Sequence, residues 1–128
     1  MLTEKDYCDY ETCVALEELG YDGYCAAYYH LFDDDEDARN SFEHIYAFDF
    51  QNSNNIYRVG APLLYQAQKW LREEKHLHIE VRWFCNMWYE YEVKEAEGKV
   101  VAEGCAFPTY EEALSTAVRM AVEHLKEK

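Results

Sequence analysis

The chain has 128 residues and a formal net charge of −14, with 49% hydrophobic and 16% aromatic residues. This length fits one domain with its own core, and the aromatic content excludes a disordered acidic tail as a description of the whole chain. The negative charge argues against nucleic acids and membrane surfaces as partners, because binding either normally requires Lys and Arg side chains.

The first 60 residues carry most of the charge, with 3 basic and 14 acidic side chains. A short helix is predicted over residues 10–19, because Asp9 can cap its first turn and Gly20 can end it in a left-handed conformation. Its glutamates are expected to face solvent. Two strands rich in aromatic residues are predicted next, over residues 24–32 and 42–50.

An unbroken acidic run separates these two strands. It consists of Asp33, Asp34, Asp35, Glu36 and Asp37. We expect it to form a solvated turn or loop, with the strands paired as a hairpin across it in a register that the sequence does not set. Its D-x-D-x-D spacing opens a calcium loop, but Ala38 and His44 replace the Gly and Glu that such a loop needs. The run is therefore interpreted as a set of solvated carboxylate side chains, and a weak cation site is the less favoured interpretation.

Residues 61–128 are predicted to form a helix, three strands and a second helix. Pro62 suits the first turn of the first helix, where its missing N–H has no intrahelical partner to lose. Apolar residues at helical spacing follow it: Leu63, Leu64, Ala67, Trp70 and Leu71. Residues 77–85 and 87–94 alternate between apolar and polar, which is typical of half-buried strands. A third strand is predicted to begin at about residue 100.

The last helix begins with a capping box, in which Thr109 and Glu112 satisfy each other's amides. The apolar side chains that line one side of each helix and of each alternating strand would be buried together if the two helices packed on one face of an antiparallel sheet. The predicted fold class is therefore α+β, with a C-terminal α-β-β-β-α unit preceded by a short helix and a β-hairpin. We expect one domain, with subregions 1–60 and 61–128.

The order helix, three strands, helix resembles that of a double-stranded-RNA-binding domain. That family would place lysines at the start of the last helix, to contact phosphates across a groove. In this chain residues 109–112 read Thr-Tyr-Glu-Glu, with two carboxylates where positive charge is needed. The resemblance is therefore topological, and RNA binding is not predicted.

Thiols and imidazoles give no catalytic or metal-binding signature. The cysteines are Cys8, Cys13, Cys25, Cys85 and Cys105. Their odd number, without a leader peptide before them, predicts reduced thiols in a cytosolic protein. His76 and His78 are expected to share one face of a strand as solvated side chains, since no third zinc ligand can be placed. We expect no enzymatic activity and no cofactor.

The aromatic residues divide into two groups. One group is expected in the core: Tyr28, Tyr29, Trp83, Tyr89 and Tyr91. By contrast, Phe84 and Trp88 fall on strand faces that otherwise carry charge. They would form a modest exposed apolar patch suited to a partner protein or to a second copy of the chain, unless the N-terminal region covers them.

Residues 61–73 and 109–114, together with 9–13 and 19–22, resemble small uncharacterised proteins from phages and mobile elements of gut bacteria. The resemblance covers most of the chain, and residues 30–57 are least alike. Because that family has no established activity, the resemblance implies a genomic setting and assigns no role to any residue.

Two functions remain open. The leading one is a small cytosolic interaction module without catalysis, which contacts a protein partner or forms a homodimer. The alternative is an acidic inhibitor that imitates nucleic acid and occupies the basic groove of a host protein. The residues expected to contact a partner are Asp33, Asp34, Asp35, Glu36, Asp37, Phe84 and Trp88.

Overall fold

The fold is α+β, and the chain divides into two compact units, residues 1–63 and 64–128. It is known from a computed structural model, which describes residues 2–44, 50–51, 58–84 and 88–127. The prediction that the whole chain is one domain stays a prediction. Each unit has its own buried side chains.

The first unit begins with a single 3-10 turn, Glu4–Asp6, and then helix α1, Tyr10–Glu18. The predicted cap is confirmed, since a side-chain oxygen of Asp9 accepts a hydrogen bond from the Thr12 N–H at 2.8 Å. The predicted stop is also confirmed, because Gly20 has a φ of 96°. These two signals fix both ends of α1 within a residue of their predicted positions.

Short antiparallel strands follow α1. They are β1 (Tyr24–Cys25), β2 (Ala27–His30), β3 (Glu43–His44), β4 (Phe50–Gln51) and β5 (Arg58–Gly60). β1 pairs with β4 and β2 with β3, so the predicted pairing across the acidic run is confirmed. β5 pairs with the other edge of β2 and has no counterpart among the predicted strands. The predicted strand positions 45–49 lie outside the described residues.

The acidic run is not a loop as predicted, because part of it forms helix α2, Asp35–Arg39. The Asp34 side chain accepts from the Glu36 N–H at 2.9 Å and so caps this helix. Acidic side chains in a first turn also interact favourably with the positive end of the helix dipole. Ala38 is fully buried and ties the short helix to the rest of the unit.

The second unit has the predicted order of elements. They are α3 (Leu64–Lys75), β6 (Leu77–Phe84), β7 (Trp88–Glu95), β8 (Val100–Phe107) and α4 (Tyr110–Lys126). The three strands form an antiparallel sheet in the order β6-β7-β8, and both helices pack on one face of it. The Thr109 half of the predicted capping box is confirmed, since Thr109 Oγ1 accepts from the Glu112 N–H at 3.1 Å.

Two predictions at the ends of α3 are wrong. Pro62 is not in its first turn, because the Pro62 carbonyl accepts from the Cys8 N–H at 3.0 Å and Leu63 bridges to Tyr7, so the helix begins only at Leu64. His76 does not lie on a strand with His78. It has a φ of 57° and forms the left-handed turn between α3 and β6.

Among the described residues, none of the helices has both the length and the apolar character needed to cross a membrane.

Candidate functional site

The sheet of the second unit has one face against α3 and α4, and we call the other face the open face. Antiparallel partners point to the same side of a sheet, so the register assigns the side chains. Leu77 and Ile79, which are buried, mark the helix-covered face, and Ile79 pairs with the buried Val93. From β6 and β7, the open face carries His78, Glu80, Arg82, Phe84, Trp88, Glu90, Glu92 and Lys94.

Phe84 and Trp88 lie side by side on the open face, because they are direct cross-strand partners at the ends of β6 and β7. Their side chains are 47% and 42% exposed. The prediction that both lie on the face that carries charge is confirmed by the register. Neighbours of this kind have Cβ atoms about 5 Å apart, so the two exposed side chains start from adjacent positions on the same face of the sheet.

The prediction that Trp83 belongs to the core is wrong, since Trp83 is 67% exposed. It lies on the helix-covered face, but burial declines along β6 from Leu77 to the half-buried Val81 and then to Trp83. The alternation that predicted a core position correctly assigns the Trp83 side chain to the helix-covered face. It carries no information about where the covering helices end, and Trp83 extends past that limit.

A fourth exposed aromatic side chain, Tyr110, lies at the same end of the sheet. Its ring packs edge-on against Tyr89, with 6.0 Å between centroids, and Tyr89 is the cross-strand partner of Trp83. Tyr110 is three residues before the buried Ala113 and so continues the apolar stripe of α4 beyond the core. We call Trp83, Phe84, Trp88 and Tyr110 together the aromatic end. Trp83 and Tyr110 were missed because each lies one step beyond a stripe that is otherwise buried.

An ion-pair cluster around Arg82 adjoins the aromatic end on the open face. The Arg82 guanidinium donates to Glu80 at 2.8 Å, to Glu90 at 3.1 Å and to Glu92 at 2.6 Å. The hydrogen bonds to Glu92 and Glu90 raise the pKa of Arg82, and the hydrogen bond from Arg82 lowers the pKa of Glu92. Lys94 lies 3.9 Å from both Glu80 and Glu92. β6 and β7 therefore present an acidic surface beside the exposed rings, and the positive charges of Arg82 and Lys94 neutralise part of it.

The acidic run lies in the first unit, whereas the aromatic end lies in the second. All five members of the run are exposed. Arg39, at the end of α2, forms an ion pair with Glu11 of α1. The structure therefore places Phe84 and Trp88 next to each other in the second unit, and the acidic run belongs to the first unit.

One member of the run, Asp37, lines an open depression of about 510 Å³ together with Phe32, His30 and Glu43. Glu43 is held by its neighbours, accepting from the Tyr28 hydroxyl at 2.9 Å and lying 3.0 Å from His30 Nε2. These two hydrogen bonds lower the pKa of Glu43. Glu43 therefore belongs to a local network of the first unit, and Asp37 supplies the carboxylate that the acidic run contributes to this depression.

Three thiols lie in the core of the first unit: Cys8, Cys13 and Cys25 are at most 1% exposed. Burial raises the pKa of Cys8 and Cys13 well above the ordinary thiol value and raises the pKa of Cys25 to about 12. All three are free cysteines. Within the described ranges no group of three or more His, Cys, Asp or Glu side chains is arranged to hold a metal ion.

No protein-family model matches the chain, and no significant match was found among curated proteins or solved structures. The resemblance to phage and mobile-element proteins stays a prediction.

Proposed function

We propose that this protein is a non-catalytic interaction module that binds another protein through its aromatic end. The observation that carries the proposal is the exposed pair Phe84 and Trp88, side by side on the open face of the sheet. Trp83 and Tyr110 extend the apolar surface around the same end of the strands. Exposed apolar patches bounded by polar residues are typical of protein-binding sites, and Trp and Tyr are enriched among the residues that dominate binding energy.

The charges beside the patch indicate the chemistry of the partner. Within the Arg82 cluster three carboxylates surround one guanidinium, and Lys94 adds a second positive charge at the longer distance of 3.9 Å. A partner surface that offers apolar side chains to the rings and basic side chains to the cluster would complement both parts. Rim charges of this kind increase association rates and select among partners more than they add affinity.

A capture experiment with matched variants tests this proposal. The test variant is Phe84→Thr with Trp88→Thr, because Thr retains the strand preference while removing the rings. The control is Tyr24→Thr, since Tyr24 is also an exposed strand aromatic, at 56%, but lies in the first unit. Each chain is immobilised, exposed to host lysate at low and high salt, and run alone in sedimentation velocity.

We expect the wild-type chain and the control to retain the same protein, more strongly at low salt, and the double variant to lose it. Equal retention by all three chains would contradict the proposal, as would a monomeric wild type that retains nothing. A dimer that dissociates only in the double variant would keep the aromatic end as the interface and identify a second copy of the chain as its occupant.

A second proposal is imitation of nucleic acid by the acidic run. It is favoured by the exposure of all five side chains and by the surplus of acid in the first 60 residues. Successive helix positions differ by about 100°, so Asp35, Glu36 and Asp37 diverge around α2 rather than forming a row, and we rank this proposal second.

It predicts a captured partner that duplex DNA or RNA displaces and that Asp35→Asn with Asp37→Asn no longer binds. A captured partner that duplex DNA or RNA does not displace, and that still binds the double variant, would contradict it.

A further inference from the structure

A cavity of about 190 Å³ lies beside α1 in the first unit. Three of its lining residues are aliphatic: Val14 from α1, Leu31, and the almost fully buried Val59 from β5. Glu17 and Glu18, near the end of α1, also line the cavity. The cavity thus combines an apolar wall with two adjacent carboxylates, and its volume suits a single side chain.

Glu17 is not the fully solvated residue that its helix position suggested. Its Oε2 atom is buried and has no hydrogen-bond partner in the part of the chain that the structure describes. Burial raises the pKa of Glu17, and the negative charge of Glu18 raises it further. A buried acceptor without a donor is unfavourable and calls for an explanation, and a cationic ligand would supply one.

We propose that this cavity binds the side chain of a lysine from a partner protein. The ammonium group would lie against Glu17 and Glu18, and the methylene stem would pack between Val14, Leu31 and Val59. The cavity belongs to the first unit and the aromatic end to the second, so this lysine site does not depend on the proposed role of the aromatic end.

Lysine fits better than arginine for two reasons. Among the described residues, the lining apart from the two glutamates is aliphatic and includes no aromatic ring, whereas a guanidinium gains much of its advantage from stacking on rings and from planar, bidentate hydrogen bonding. A flexible stem of four methylenes that ends in a compact charge matches an apolar wall with carboxylates at one side. The first 60 residues carry 14 acidic and 3 basic side chains, which also favours a cationic occupant.

Titration of the full chain with short capped peptides tests the proposal. The peptides differ at one central residue, which is lysine, arginine or the neutral isostere norleucine, and n-butylammonium serves as the free amine. The protein variants are Glu17→Gln, which removes the charge, and Val14→Leu, which fills the cavity without changing charge. Asp22→Asn is the control, because Asp22 is exposed and its replacement changes the net charge equally. Binding is followed by shifts of the Val14, Leu31 and Val59 methyl resonances.

We expect the lysine peptide to bind with a dissociation constant of about 1 mM, as is usual for one side chain in a shallow cavity. Norleucine, Glu17→Gln and Val14→Leu should each weaken binding about tenfold, and Asp22→Asn less than twofold. The proposal is overturned if norleucine binds as well as lysine or if Glu17→Gln has no effect. Binding of n-butylammonium without binding of the lysine peptide would overturn the protein origin of the ligand.

Discussion

At the scale of single residues, burial sets the reactivity of the thiols. The thiolate is the reactive form of cysteine, and burial disfavours it for Cys8, Cys13 and Cys25. Cys105, by contrast, is exposed. A short pulse of N-ethylmaleimide on the folded chain at neutral pH should therefore modify Cys105 and leave the other three unmodified.

Peptide mass spectrometry after the pulse measures each site separately, and the same pulse in denaturant provides the control, in which Cys8, Cys13 and Cys25 should react as well as Cys105. Modification of Cys8, Cys13 or Cys25 as rapidly as Cys105 in the folded chain would show that the core of the first unit opens readily, contrary to the burial of these three thiols.

At the scale of elements, the contact between β7 and β8 depends on a glycine. Gly104 is the cross-strand partner of the buried Tyr91, and a Cβ added at Gly104 would lie 2.6 Å from the Tyr91 ring. Gly104→Ala should therefore lower the free energy of unfolding by about 1–3 kcal/mol, the usual cost of overpacking, in chemical denaturation. Glu103→Ala, at the adjacent exposed position, is the control and should change it by less than about 0.5 kcal/mol.

A double-mutant cycle separates this steric cause from a backbone effect. In a Tyr91→Leu background the ring is gone, so Gly104→Ala should lose most of its penalty. If the penalty were the same in both backgrounds, the close approach of the ring would not be its cause.

The Arg82 cluster gives the sheet a pH-dependent contribution to stability. The contact with Arg82 lowers the pKa of Glu92 in the folded chain, so its stabilising effect is complete above the ordinary glutamate pKa of about 4.3 and is lost as the pH falls through the lower folded value. Arg82→Gln should destabilise the chain at pH 7, and the difference from wild type should shrink on acidification and in high salt.

Thermal unfolding across this pH range measures the effect, with Lys99→Gln as a control that removes an exposed positive charge outside the cluster. The attribution to the Arg82 contact would be contradicted if the difference in thermal stability between the wild type and Arg82→Gln stayed constant from pH 7 to pH 3. It would also be contradicted if Lys99→Gln gave the same difference.

Elements whose apolar spacing is long and regular could be predicted from the sequence. α3, α4 and the strands β6 and β7 each carry enough repeats to fix both their type and the side they bury. The short elements could not be predicted in the same way. α2 is only five residues long and is held by Asp34 and the buried Ala38, and β5 is a three-residue strand that exists because β2 offers it an edge.

The candidate site could be predicted only in part, for a related reason. Alternation identified Phe84 and Trp88, because each is an apolar residue on a face that carries charge. Trp83 and Tyr110 lie on the faces that the pattern assigns to the core, and their exposure depends on where neighbouring elements end. That limit is set by tertiary packing, and the spacing of residues along one strand or helix does not contain it.

At the scale of the whole molecule, the two compact units differ in charge and in the surfaces they present. The acidic run and the cavity beside Glu17 belong to the first unit, and the aromatic end belongs to the second. Variants of one unit can therefore be tested without altering the binding residues of the other. The Phe84 and Trp88 variants address the proposed interaction module, and the Glu17 and Val14 variants address the lysine site.

The central claim is that the aromatic end dominates binding to a protein partner. Its most direct test is the affinity of the captured partner for Trp88→Thr, measured by titration calorimetry beside the wild type and Tyr24→Thr. Loss of a Trp at the centre of an interface typically weakens binding by 2 kcal/mol or more, so we expect a dissociation constant at least about 30-fold higher for Trp88→Thr. Tyr24→Thr should change it less than twofold. Equal affinities for Trp88→Thr and the wild type would contradict the claim.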